Sequence, residues 1–188
     1  MKVMLSGLEA ATLRLQDVKN VTPRAAMRAV NKTAEKGNTL ASRAIRSQVN
    51  LTAGYVKDHL RIAAKATEDN LTARIVAEPR PVLLSRFGAT QLWKKGKTVP
   101  KRTAGVSVKV KAGGARKKLR GAFFIRLKDS GALGVAVRVN GSPRNEIDVL
   151  HGPSVDQVFR SVREDIAPEL QDYLTDTFRA QLQYELSR

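Results

Sequence analysis

Apolar residues recur at helical spacing through the N-terminal third of the chain. From Met27 to Val49 they return every three or four positions, and alanine is the commonest of them. This spacing predicts a long helix over 22–49, whose thin apolar face would let another helix approach closely. A short amphipathic helix over 5–19 would precede it, and Gly37 predicts a bend or a close contact within the long helix.

Residues that cap helices indicate where these elements begin. Thr22 followed by Pro23 favours a helix start, because threonine caps free amide groups and proline lacks only an N–H that the first turn leaves unpaired. Thr52 is expected to cap a third, shorter helix that carries Val56 and Leu60 on one face. The N-terminal third is therefore predicted to be helical.

The middle of the chain changes to the two-residue alternation that is typical of β-strands. Alternating runs at 71–77, 106–110 and 135–139, with a shorter one at 147–149, predict strands. The segment 121–127 is apolar on both faces, which favours a central position in a sheet. We expect a small antiparallel sheet of about four strands.

Helical spacing returns after the sheet region. Ser154, with Gln157 three residues later, has the spacing of a capping box. Pro168 interrupts the apolar pattern, so a kink or a new helix is expected there. The whole pattern predicts the α+β class with a C-terminal helix kinked near Pro168, in a single domain over 1–188. Its parts would be a helical part (1–62), a sheet with basic loops (70–150) and a C-terminal helical part (154–188).

Charge is distributed unevenly along the chain, whose formal net charge is +17. Fifteen basic residues and no acidic ones lie from Arg80 to Lys128, whereas seven of the 17 acidic residues lie in the last 35. A block of like charge destabilises the compact state, which favours an anionic ligand or partner over a merely solvated face. The runs around 106–110 and 121–127 flank a cationic, glycine-marked loop, and this arrangement predicts a basic hairpin. The candidates for contact with DNA or a partner, between Lys94 and Arg120, are Lys94, Lys95, Lys97, Lys101, Arg102, Lys109, Lys111, Arg116, Lys117, Lys118 and Arg120.

Few residues suggest catalysis. The chain has no cysteine and two histidines, and neither His59 nor His151 stands at a spacing typical of a metal site or a catalytic pair. No cofactor or metal is expected, and an enzyme is disfavoured. The basic segment also lacks the stacking aromatic residues of a single-strand binder. No long apolar run or signal peptide is recognisable, so a soluble protein without membrane contact is expected.

Four segments, in order along the chain, resemble the minor tail protein Z family of long-tailed phages and prophages. They are AAMRAVNKTAEKGNTLASRAI, VLLSRFGATQLWKKGKT, GVSVKVKAGGARKKLRGAFFIRL and IDVLHGPSV. The resemblance runs from about Gly7 to the end of the chain. Its most specific features are structural: the Phe87-Gly88 turn, the hairpin from Gly105-Val106 to Gly121-Ala122-Phe123, and Gly152-Pro153-Ser154.

The resemblance implies a non-enzymatic virion component in the neck, at the head-proximal end of the tail. Such a protein is needed for head–tail joining and for positioning the DNA end, and it assembles in the host cytoplasm. The resemblance also implies several copies in a six-fold ring, in contact with tail-terminator or head-completion proteins. The charge alone leaves an alternative open, a free nucleic-acid-binding protein that grips phosphates with its basic hairpin.

Opposite charges in different parts of the chain suggest how copies would associate. In a ring, the acidic C-terminal helix of one subunit would meet the basic hairpin of the next, a head-to-tail contact. Whether the basic segment instead faces the genome stays open. The candidates for the interface between subunits are Phe87, Phe123, Asp165, Glu169 and Asp172.

Overall fold

A computed structural model of the chain describes the backbone of residues 2–93, 103–139 and 146–187, and the side chains of 22–93, 104–139 and 146–187. The described residues form three α-helices, nine strands and a 3-10 turn at Leu84–Arg86. The helices are α1 (Lys2–Gln48), α2 (Ala53–His59) and α3 (Val155–Leu186). The strands are β1 (Leu60–Ala64), β2 (Arg74–Ala77), β3 (Val82–Leu83), β4 (Thr90–Trp93), β5 (Thr103–Val108), β6 (Lys117–Leu119), β7 (Phe123–Arg126), β8 (Leu133–Arg138) and β9 (Ile147–Gly152).

The strands form three separate sheets. β1 pairs with β2, a four-stranded sheet has the order β3-β9-β8-β7, and a three-stranded sheet has the order β4-β5-β6. The strands of the two larger sheets all pair antiparallel. The predicted α+β class is confirmed, but the expected single sheet of four strands is replaced by these three.

The strand that pairs with β5 to form the basic hairpin differs from the one predicted. β5 pairs with β6, and β7 pairs with β8 at the edge of the four-stranded sheet instead of taking a central position. Apolar alternation specifies which side chains are buried, but not which strand supplies the partner. Lys117 and Lys118, rather than the apolar run at 121–127, therefore begin the returning strand.

Both long helices continue through a proline. α1 runs through Pro23, so the two predicted helices at 5–19 and 22–49 are one. α3 runs through Pro168, so no new helix begins there. A proline removes one backbone hydrogen bond at a cost of about 3 kcal/mol, which a helix with many remaining bonds can absorb. By contrast, α2 ends at His59 and the following residues form β1, where a continued helix was predicted.

Contacts divide the chain into two compact units. Unit 1 comprises Met1–Leu40, Arg61–Val76 and Arg163–Arg188. Its buried residues are small, among them Ala25, Ala29 and Ala34. A β-carbon on Gly37 would lie 3.2 Å from side-chain atoms of Ile75 and of Leu170, which confirms the predicted close contact. The thin alanine face therefore does let neighbouring side chains approach α1.

Unit 2, Ala41–Leu60 and Ala77–Val162, holds the larger side chains of the core. Its fully buried residues include Ile45, Leu60, Phe87, Val106 and Val155. They come from helices and from both larger sheets, so unit 2 has a mixed core. This core supports the basic hairpin described below.

Candidate partner-binding surface

The β5–β6 hairpin presents two chemically different faces. Val106 pairs with Leu119, Ser107 with Lys118 and Val108 with Lys117. Because side chains alternate along a strand, Val106, Val108 and Lys117 lie on one face, and Ser107 and Lys118 lie on the other. Neighbouring lysines in the sequence therefore serve opposite sides of the hairpin.

Arg116 is committed to bonds inside unit 2. Its Nε donates to the Ser107 hydroxyl at 3.1 Å, and a terminal nitrogen donates to the Thr90 hydroxyl at 3.0 Å and to the Ser107 carbonyl at 3.2 Å. The same nitrogen also donates to the carbonyl of Gly88. The guanidinium group thus ties the end of the basic loop to β4, to β5 and to the turn before β4. Arg116 positions the hairpin, although the sequence placed it among the contact residues.

The backbone of the loop between β5 and β6 is held at several points. The Lys109 amide donates to the Phe87 carbonyl at 3.1 Å, and the Val110 carbonyl accepts from the Asn50 amide at 2.8 Å. The Ala112 amide donates to the carbonyl of Gln48 at 3.0 Å, at the end of α1. These bonds fix the path of the loop, so the lysines on it project from an ordered scaffold.

Two glycines that were prominent in the sequence are required sterically. Gly105 has a φ of +112°, and a β-carbon there would lie 3.1 Å from the Leu119 carbonyl carbon and closer still to its oxygen. A β-carbon on Gly152 would lie 2.8 Å from Cζ of Phe87 and closer to Cε2. Two residues later, the Ser154 hydroxyl accepts from the Gln157 amide at 3.0 Å and caps α3, as predicted.

Five cations of the hairpin project without a partner inside the described residues. Lys111, Lys117, Lys118 and Arg120 are exposed, and Lys109 is half-buried. None of the five forms an ion pair with a carboxylate whose side chain is described. The other predicted contact residues lie outside the described residues: Lys94, Lys95, Lys97, Lys101 and Arg102.

The predicted acidic residues share one face of α3. Asp165, Glu169 and Asp172 are exposed, as is Asp176, and at 3.6 residues per turn the four lie within about 60° around the helix axis. Glu169 already pairs with Lys36 at 3.2 Å within unit 1. The sequence analysis missed Asp176, although helical spacing from Asp165 would have found it. The name acidic face is used below for Asp165, Asp172 and Asp176.

The two phenylalanines proposed for the interface differ in exposure. Phe87 is 0% exposed and packs against Gly152, so its side chain has no surface to offer another subunit, and we correct this expectation. A buried aromatic ring beside a glycine is typical of core packing. Phe123 is half-buried at the edge of its sheet, with the Arg138 guanidinium 5.4 Å from the ring centroid.

An apolar hollow of about 440 Å³ lies beside the hairpin. Val108, Val110 and Ala115 form its floor, and the exposed Lys111 and Lys117 border it. A second hollow of about 670 Å³ shares Val110 and Lys111 and extends to Gln48, Val49, Pro153, Gln157, Val158 and Ser161. Sequence reasoning found the lysines but not the hollows, because strand pairing brings these residues together.

His59, at the end of α2, has a local structural role. The His59 ring stacks on Tyr55 with centroids 4.0 Å apart, and its Nδ1 lies 2.7 Å from the Tyr55 carbonyl oxygen. Its Nε2 is 3.5 Å from a carboxylate oxygen of Glu78. Burial raises the pKa of the Tyr55 hydroxyl, while Arg86 acts in the opposite direction.

Two other kinds of site are missing from the parts of the chain that are described. No group of three or more metal-ligating side chains occurs within those ranges. None of the helices, as far as they are described, contains an apolar stretch long enough to cross a membrane.

Comparison with known proteins gives one match. Neither the curated proteins nor the solved structures include a match to this chain. Residues 5–188, nearly the whole length, match the profile described as prophage minor tail protein Z (GPZ). The coverage includes the hairpin, the acidic face and both glycines discussed above. The chain therefore belongs to the prophage minor tail protein Z family, and its role is that of a structural component of a phage tail.

Proposed function

We propose that this chain completes the head-proximal end of the phage tail. There, in the neck of the virion, it takes part in joining the tail to the head and in positioning the DNA end. The family supports a role in the tail. The observation that carries the proposal further is the basic hairpin, an ordered element whose five cations have no partner among the described carboxylates.

A surface of this kind requires an anionic counterpart. The chain repels itself at a net charge of +17, and the hairpin concentrates part of that charge on one strand and its loop. The counterpart would be either the phosphates of the genome or an acidic patch on a neighbouring protein. The role we propose is assembly rather than catalysis, and it works through ion pairing at this hairpin.

The test is complementation of a prophage that lacks the gene for this chain. The triple variant Lys117→Glu, Lys118→Glu, Arg120→Glu should fold normally but yield no more infectious particles than the deletion. Electron micrographs should show tails that have not formed complete particles with heads. Substitution of three exposed cations elsewhere, Lys57→Glu, Arg74→Glu and Lys128→Glu, makes the same change in net charge and serves as the matched control. A normal infectious yield from the hairpin variant would refute the proposed role.

The free cations also favour a second candidate, contact with DNA itself. Each neutralised phosphate contributes about −0.9 to the slope of log affinity against log salt, so five contacts predict a slope of about −4.5. DNA binding by the purified chain should be measured over a range of salt concentrations. A slope of this size that is lost in the hairpin variant would assign the hairpin to the genome, and no binding would assign it to protein assembly.

A further inference from the structure

The residues that line the hollow beside the hairpin restrict which kind of molecule fits there. Its floor of Val108, Val110 and Ala115 is apolar, and the two cations that border it, Lys111 and Lys117, have no described carboxylate partner. A DNA backbone could pair with the lysines, but apart from its sugars it has no apolar group to cover the floor. Burial of apolar surface stabilises a complex. The better fit is therefore a protein segment with an apolar side chain between carboxylates.

The chain itself exposes such a segment on α3. Asp165 and Asp172 are seven residues apart, which is two helical turns or about 10.5 Å along the axis. Pro168 is exposed and lies between them, one turn after Asp165 and one turn before Asp172. This side of α3 thus offers an exposed apolar ring between two carboxylates, and Glu169, which pairs with Lys36, lies beside the ring. Its chemistry complements a hollow with an apolar floor and two lysines in its lining.

We propose that the hollow is the docking site for the acidic face of α3 from a second copy of the chain. The inference rests on the proposed function and adds to it that several copies act together at the end of the tail. The two surfaces differ, so the contact is heterologous, and its repetition generates a ring if the rotation closes. Pairing carboxylates with the hairpin also reduces the repulsion between copies that carry +17 each.

Two charge-reversal variants that are matched in net charge supply the test. Lys111→Glu with Lys117→Glu reverses the two cations at the hollow. Lys57→Glu with Lys128→Glu makes the same change in net charge away from it, because both lysines are exposed and neither lines the hollow. Ala115→Trp fills the hollow without changing the charge. Asp165→Lys with Asp172→Lys reverses the charge of the acidic face. Combining these two substitutions with Lys111→Glu and Lys117→Glu exchanges the charges of the two surfaces.

Self-association of the purified full-length chain is measured by sedimentation velocity over a range of protein and salt concentrations. We expect the wild type and the Lys57/Lys128 control to associate, and both should associate more weakly as salt rises. The hollow pair, the acidic-face pair and Ala115→Trp should each weaken association by about tenfold or more, and the combined charge exchange should restore most of it. Circular dichroism checks that each variant is folded.

The proposal would be overturned by a wild type that stays monomeric, by a control as defective as the hollow pair, or by no recovery in the combined variant. It would also be overturned if the hollow variants changed the unfolding midpoint but left association unchanged. The last would place the contact within one chain. Loss of DNA binding with normal association would give the hollow to DNA instead. The complementation assay separates the two proposals: if the hollow and acidic-face variants associate like the wild type while the hairpin triple variant yields no infectious particles, the docking site is refuted and the proposed function stands.

Discussion

Replacement of Arg116 tests whether this residue positions the hairpin or contacts a partner. Arg116→Met removes the bonds to the Ser107 hydroxyl, to the Thr90 hydroxyl and to two carbonyl groups. Ser107 is only 6% exposed, so its hydroxyl would lose a partner in a place that water scarcely reaches. An unsatisfied buried group costs about 1–3 kcal/mol, and the exposed parts of the network add little because water replaces them.

The assay is thermal unfolding followed by the fluorescence of Trp93, the one tryptophan in the sequence. It lies on β4 in the same sheet as the hairpin and is 54% exposed. A loss of 2 kcal/mol in a chain of this length lowers the midpoint by about 4–8 °C. Arg116→Lys should recover little, because an ammonium group cannot span acceptors that a planar guanidinium reaches together.

Lys118→Met is the control, because it removes the same charge two residues further on without breaking a described bond. We expect it to change stability by less than about 0.5 kcal/mol. The reasoning fails if Arg116→Met unfolds at the wild-type midpoint, above all if it also loses partner binding. Arg116 would then be a contact residue, as the sequence suggested.

Two further substitutions test how the ends of the sheet and of α3 are built. Gly152→Ala should cost about 3 kcal/mol or more, because the new methyl group would overlap the buried ring of Phe87, and Phe87→Leu should recover part of the loss. Equal urea midpoints for Gly152→Ala and the wild type would contradict this packing. Ser154→Ala should cost about 0.5–2 kcal/mol through loss of the α3 cap, while Ser154→Asp should retain most of the stability. If both Ser154 variants lost the same amount in urea unfolding, the cap would not be the cause.

The sequence predicted correctly the helix caps and strands that are determined by residues close together in the chain. The Thr52 hydroxyl accepts from the Tyr55 amide at 3.4 Å and the Ser154 hydroxyl caps α3, both at the expected positions. Alternation located β5 and β8, because side chains at every second position lie on the same face of a strand whatever its partner. The thin alanine face of α1 likewise predicted the close contacts that form at Gly37.

Other features depend on partners that are distant in the sequence. Pro23 and Pro168 both signal a boundary, yet each lies inside a helix, because tertiary packing overrides local preference. β6 contains two lysines in three residues and would not be chosen as a strand from its composition. Its existence depends on pairing with β5 and on the bonds of Arg116, neither of which can be inferred from alternation.

Single residues of the candidate surface also differ in how far the sequence predicts their roles. Composition treats Arg116, Lys117 and Lys118 as one run of positive charge. In the folded hairpin the first holds the loop, the second borders the apolar hollow and the third faces the other side. A slip of one residue in the β5–β6 register would exchange the last two and move the cation away from the hollow. The arrangement of cations beside the hollow therefore depends on what holds the register, chiefly Gly105 and Arg116, and not on the number of charges.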